Sequence, residues 1–120
     1  MTINRKPEEE YLAQACLLIS DAMFKSVVHV VFVEINGERL RIQRTKTGIR
    51  YVDVQFGGET FRIMEQNRQK ASRYAKMARE RHQILWVFKR DQYYARYLDG
   101  QFMILKYNKG EKSGNLQIDS

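Results

Sequence analysis

The sequence predicts one α+β domain: an N-terminal helix, an antiparallel β-meander, a basic helix and a second antiparallel β-meander, with the helices in a single layer on a curved sheet. Three observations predict it. Helical periodicity marks two stretches, near residues 8–24 and 67–82. Around them, short β-branched and aromatic runs are separated by turn dipeptides at Asn36-Gly37, Gly57-Gly58 and Asp99-Gly100. The chain has 120 residues and is 43% hydrophobic, enough for one core without covalent staples. The domain is expected over residues 1–107. The polar, Gly- and Ser-containing stretch 108–120 is expected to be a flexible C-terminal tail.

The elements follow in order. Residues 1–6 read as a flexible lead. Pro7 suits the first turn of a helix, where its missing N–H costs nothing, and Glu8, Glu9 and Glu10 complement the positive end of the helix dipole. Tyr11, Leu12, Ala15, Leu18, Ile19 and Ala22 then form one apolar stripe, widened by Cys16, Leu17 and Met23. This face is expected to dock on a sheet. Residues 27–35 are almost continuously apolar and read as a central strand covered on both faces, with His29 inside it. Asn36-Gly37 turns the chain into an alternating strand over 38–44, and residues 45–48 make the next turn. Residues 49–56 send Val52, Val54 and Phe56 to one face and Tyr51, Asp53 and Gln55 to the other. A strand over 60–64 follows, with Phe61 and Ile63 inward and Arg62 outward.

The helix expected over 67–82 takes Asn67 as its N-cap and packs a stripe of Ala71, Tyr74, Ala75 and Ala78 against the sheet. Strands over 84–89, 93–98 and 101–107 complete the second meander. The two meanders are expected either to join as one sheet under both helices or to curl into a barrel-like sheet.

Charge is distributed unevenly. Residues 1–38 carry three Lys/Arg against six Asp/Glu, residues 39–90 fourteen against four, and residues 91–120 four of each. The middle of the chain is therefore net +10. A basic band of this kind points to a polyanionic partner, or else to a solvated surface that keeps the protein soluble. On the expected helix, Arg68 and Lys70 fall in the first turn, where they oppose the dipole. Such a conflict between local and global rules tends to mark function, and free N–H groups at a helix start also suit phosphate. The outward strand positions add Arg39, Arg41, Arg50, Tyr51 and Arg62, a guanidinium and phenol face suited to nucleic acid and equally usual for a half-exposed antiparallel sheet.

Catalytic chemistry has little support. Cys16 is a lone thiol, so no intramolecular disulfide forms, and no Cys/His spacing suits a metal. No Ser/His/Asp set and no glycine-rich phosphate loop is apparent. No cofactor is expected. No apolar run approaches the roughly 20 residues of a membrane helix, and the N-terminus lacks a secretory pattern, so a cytoplasmic protein with no membrane insertion is expected.

The element order, with Lys/Arg and Ala interleaved in QKASRYAKMAR over 69–79, resembles a double-stranded-RNA-binding domain across residues 8–82. That family grips phosphates from the start of its second helix, which the resemblance places at Lys70 and Arg73. The chain departs from it in carrying an extra strand before the helix and a meander after it.

The function expected is a non-catalytic binding module for nucleic acid, RNA or a ribonucleoprotein favoured. Arg68, Lys70, Arg73, Lys76 and Arg79 would contact phosphates, with Arg39, Arg41, Arg50, Tyr51 and Arg62 assisting. The alternative is an accessory subunit that docks its basic patch on a larger acidic protein complex, using Trp86 or exposed tyrosines as contacts. A third reading is a small ribonuclease-like enzyme built on Arg, Tyr and a carboxylate.

Overall fold

The structure, a computed structural model, describes residues 6–26 and 29–105. The expected lead over 1–6, apart from Lys6, and the expected tail at 108–120 lie outside the described residues. Helix α1 spans Pro7–Lys25, with Pro7 opening the first turn and Glu8, Glu9 and Glu10 following it as expected. Its stripe of Leu12, Ala15, Cys16, Ile19 and Met23 is buried.

Strands β1 (Phe32–Ile35) and β2 (Glu38–Arg41) form a two-stranded antiparallel ribbon across Asn36-Gly37, both of which adopt positive φ as a tight hairpin turn requires. The long central strand expected over 27–35 is not formed. Residues 27 and 28 lie outside the described residues, His29 and Val30 are exposed, and β1 alternates, with Val33 and Ile35 buried and Phe32 and Glu34 exposed. The apolar run misled because the ribbon has only one covered face, against α1. The strand expected over 38–44 is also interrupted. Ile42 leaves the ladder, its N–H donates to Val31 O at 2.9 Å, and the chain resumes as β3 (Gln43–Arg44).

The remaining strands are β4 (Arg50–Phe56), β5 (Glu59–Glu65), β6 (Ile84–Lys89), β7 (Gln92–Leu98) and β8 (Gln101–Ile104). They make one six-stranded sheet in the order β3-β4-β5-β6-β7-β8, every neighbour antiparallel. The later strands of the first meander, β3 to β5, thus form one sheet with the second meander, joined by the pairing of β5 with β6 from Phe61↔Lys89 to Glu65↔Leu85, while β1 and β2 stand apart as the ribbon.

The short helix α2 (Arg73–Arg79) lies in the β5–β6 connection. It does not share a layer with α1, which corrects the single helical layer expected from the sequence. Leu85 and Val87 of β6 pack with Val52, Val54, Phe61, Ile63, Ala95 and Tyr97 in the core beneath α1. Ile84 and Trp86, one residue out of step, pack with Ala78, Tyr74 and Met77 of α2 in a second core. The run ILWVF in β6 is apolar at both parities, so each face of the sheet needs a cover.

Helix α2 is less than half the length expected. Asn67 does not cap it. Its Oδ1 accepts the Gln69 N–H at 2.9 Å, two residues on, which makes a local turn. Ser72 is the cap, with Oγ accepting the Ala75 N–H at 3.1 Å. Arg68 and Lys70 therefore precede the helix and oppose no dipole, and Ala71 is exposed rather than part of the packing stripe. At the other end the N–H of Arg81 reaches Ala78 O and that of His82 reaches Met77 O, both at 3.0 Å. This is the paired-bond helix terminus whose turning residue takes a left-handed conformation, here Arg81 at φ 76°.

Candidate nucleic-acid interface

The basic segment has a defined shape. Ala75 and Ala78 are small enough to let α2 lie on Ile84 and Trp86, and Tyr74 meets the Trp86 ring edge-on at 5.1 Å. Arg73, Lys76 and Arg79, three residues apart, occupy the exposed side. Arg79 Nη1 donates to Arg68 O at 2.7 Å and to Lys70 O at 3.2 Å, so the helix holds the preceding loop in place. Arg73 leans over the Tyr74 ring and donates to its hydroxyl at 3.3 Å.

Carboxylates bind several cations elsewhere, though not Arg39, Arg41, Arg44 or Lys46 among the described residues. Arg50 pairs with Glu65, Arg62 with Asp53, Arg90 with Glu59, Lys89 with Glu8 and Lys25 with Asp21. Among the described residues, no carboxylate lies within ion-pair distance of Arg68, Lys70, Arg73, Lys76, Arg79 or Arg81. The segment's one acid, Glu80, pairs with none of them.

The other residues proposed from the sequence are dispersed. Arg50 is half-buried. It grips Glu65 through Nε and Nη2, and its Nη1 donates to Met23 O, a carbonyl in the last turn of α1, at 3.2 Å. It ties the helix end to the sheet, with all three of its nitrogens engaged inside the protein. Arg62 forms a two-point bridge to Asp53 at 2.9 and 3.0 Å and lies 4.2 Å from the Tyr51 ring centre. Its hydrogen bond to Asp53 holds the guanidinium protonation still more firmly than usual. Arg39 and Arg41 are exposed on the ribbon, with Arg39 stacked 4.0 Å from the centre of Phe32. The ribbon belongs to the α1 core and the basic helix to the other core, so these arginines join no common patch with α2.

Trp86 is only 2% exposed and is no surface contact, contrary to the docking role considered for it. Its row across the sheet, Tyr51, Met64, Trp86, Arg96 and Met103, brings Arg96 under α2. There Nη1 donates to the Tyr74 hydroxyl at 2.9 Å. Arg96 was not singled out from the sequence. Its alternation with Tyr97 was the available signal, but nothing local tells a strand arginine which helix will cover it.

A second feature lies where the end of α1, the end of β5 and the segment after α2 converge. A cavity of about 200 Å³ opens there, bordered by Ser20, Phe24, Arg68, Arg81, His82 and Gln83 among others. His82 Nδ1 lies 2.7 Å from Asp99 Oδ2, and the Gln83 N–H donates to the other Asp99 oxygen at 2.8 Å. Desolvation opposes the Asp99 charge, but these hydrogen bonds outweigh it and hold the carboxyl below its usual value. The sequence places His82 at the end of the expected helix and Asp99 in a turn. Their meeting depends on β7 and β8 returning past the end of α2.

Among the described residues, no group of three or more His, Cys, Asp or Glu side chains could hold a metal ion, and no helix is long and apolar enough to cross a membrane. Cys16 is wholly buried, and burial pushes its thiol well above the usual range. The chain matches no protein-family model, no curated protein and no solved structure.

Proposed function

We propose that the protein is a small non-catalytic binding module for nucleic acid, RNA favoured, and that residues 68–79 form its contact surface. The observation that carries this reading is the charge of Arg68, Lys70, Arg73 and Lys76, which has no carboxylate partner among the described residues, on a segment where Arg79 stitches the loop to the helix. A merely solubilising surface needs no such fixed arrangement, and burying no acid among these cations leaves them open to phosphate oxygens.

Helix α2 has seven residues, about 10 Å at the usual rise. Its apolar side is committed to the sheet. These features favour backbone contact with a strand or a shallow groove over insertion of a recognition helix into a major groove, so binding should depend little on base sequence.

The test is titration of labelled single- and double-stranded RNA and DNA at two salt concentrations. Binding at low salt that weakens steeply as salt rises is expected. Absence of binding to every probe at low salt would end the reading. A stoichiometric acidic protein partner that survives nuclease treatment, with no affinity for the probes, would replace it with the docking role.

A further inference from the structure

We propose that the cavity beside the basic segment receives a phosphomonoester group, the dianionic end phosphate of a polynucleotide strand or a small phosphate compound. The inference rests on the nucleic-acid reading only for the first of these two sources.

The charge of the cavity wall favours such a group. Arg50 and Glu65 both border it and neutralise each other, with both Glu65 oxygens taken up by Arg50. Arg68 and Arg81 have no carboxylate partner among the described residues, so two positive charges remain on the wall, against the single Asp99 carboxylate engaged behind it by His82 and the Gln83 N–H. His82 adds a third polar group. Its Nδ1 is occupied by Asp99, which orients the ring; Nε2 then donates to a phosphate oxygen in the imidazolium form and accepts from a protonated monoester oxygen in the neutral form. Gln83 Oε1 accepts from Ser20 at 3.1 Å, and the amide Nε2 donors are left for another acceptor.

These groups are held in place. Arg81 stands at the left-handed position that ends α2, where glycine is the usual choice, and two backbone hydrogen bonds fix that turn. A long cation at a position that disfavours it emerges in a set direction, with its guanidinium 5.0 Å from the centre of the exposed Phe24 ring. The Arg68 backbone is held by Arg79.

Size and charge narrow the ligand. A volume of about 200 Å³ is several times that of a water molecule, about 30 Å³. It falls below the roughly 300–1,000 Å³ of sites that enclose a whole organic ligand. A single tetrahedral anion fits that range better than a complete nucleotide. A monoester carries a charge of about −1.5 to −2 on three free oxygens near neutral pH. An internal diester carries one charge and is tethered on both sides, which suits the open surface of α2 and not a recess.

Two arms test the proposal. Inorganic phosphate is titrated into the ¹⁵N-labelled protein at constant ionic strength while the arginine Nε–H resonances are followed. Saturable shifts at Arg68 and Arg81, abolished in Arg81→Asn, are expected; asparagine tolerates the left-handed turn, and the amide spectrum checks that the fold is kept. Shifts that fail to saturate, or that spread evenly over all exposed cations, overturn the cavity assignment.

In the second arm, one RNA oligonucleotide is compared with hydroxyl, 5′-phosphate and 3′-phosphate ends. A phosphorylated end should bind tighter by on the order of tenfold, with the preference lost in Arg81→Asn. Phosphate saturation with equal affinity for all ends assigns the cavity to small phosphate compounds. Phosphate saturation without any RNA binding overturns the nucleic-acid reading and leaves the cavity standing. RNA binding without saturation or end preference overturns the cavity alone.

Discussion

Trp86 donates its indole N–H to Gln66 Oε1 at 2.6 Å, and both side chains are almost wholly buried. The bond lets a polar side chain end β5 inside the molecule and satisfies the one polar atom of the largest buried ring. Gln66→Met keeps the volume and strands that N–H, so it should cost about 2 kcal/mol in urea unfolding followed by tryptophan fluorescence. A loss below about 0.5 kcal/mol would show that the indole finds another acceptor. Tyr94 makes a different long-range contact, donating its hydroxyl to Glu8 Oε2 at 2.5 Å. Desolvation, and then the Glu8 hydrogen bond and charge, push the phenol above its usual value of 10.0. A raised folded value favours the neutral phenol, so this contribution is intact below pH 10 and is lost as pH rises beyond it. Tyr94→Phe should therefore lose stability at neutral pH and show a shallower alkaline decline, read as melting temperature against pH. Tyr11 and Tyr97 are shifted the same way and keep the decline from vanishing. An alkaline limb unchanged by the substitution would refute the assignment. In the sequence Glu8 was legible only as a dipole partner, because its second role depends on a residue 86 positions away.

At the scale of elements, the hairpin turns show how far local chemistry reaches. Asn36-Gly37, Gly57-Gly58 and Asp99-Gly100 adopt the paired positive φ values their composition favours, and the strand breaks at these three places were readable from them. Arg90-Asp91 adopts the same geometry, at φ 53° and 65°, with no glycine to ease it. Arg90 compensates by reaching Glu59 at 2.6 Å on the neighbouring hairpin. Asp91→Gly should relieve the turn and raise stability by about 1 kcal/mol in chemical denaturation, leaving that bridge intact. A neutral or destabilising result would mean that the aspartate supports the turn in a way its backbone does not reveal. Helix α2 marks the limit of local reading. Asn67 and Ser72 are both competent caps, and the periodicity ran through each of them. Packing decided between them, because only the turns after Ser72 can lay Ala75 and Ala78 on Trp86 while Gln66 is held inside. The shorter helix also removed the dipole conflict that had pointed to function, and replaced it with a loop tied down by Arg79.

For the whole molecule, charge is segregated by pairing as well as by position. Glu65, Asp53, Glu8 and Glu59 pair with Arg50, Arg62, Lys89 and Arg90, and the segment around α2 keeps its excess. If that excess meets phosphates, Arg73→Gln with Lys76→Gln should lower the slope of log affinity against log salt by about 1.4 for single-stranded RNA. Stability should move by no more than about 0.5 kcal/mol, since neither side chain has an ion-pair partner among the described residues. An unchanged slope would place the contacts elsewhere. The sequence by itself determined the α+β class, the positions of the glycine-containing turns, the parity of the strands over 50–65 and the location of the positive charge. Those features rest on neighbours a few residues apart: dihedral preferences at Gly and Asn, two-residue alternation, and simple counting. Only the tertiary structure decided that β3 to β8 make one sheet with the β1–β2 ribbon apart from it, that the helices cover opposite faces, and that Arg50 serves the fold while Arg68 and Arg81 face a cavity beside His82. Each of these outcomes turns on which distant groups meet, and strand pairing and burial settle that by competition among contacts that no local pattern encodes.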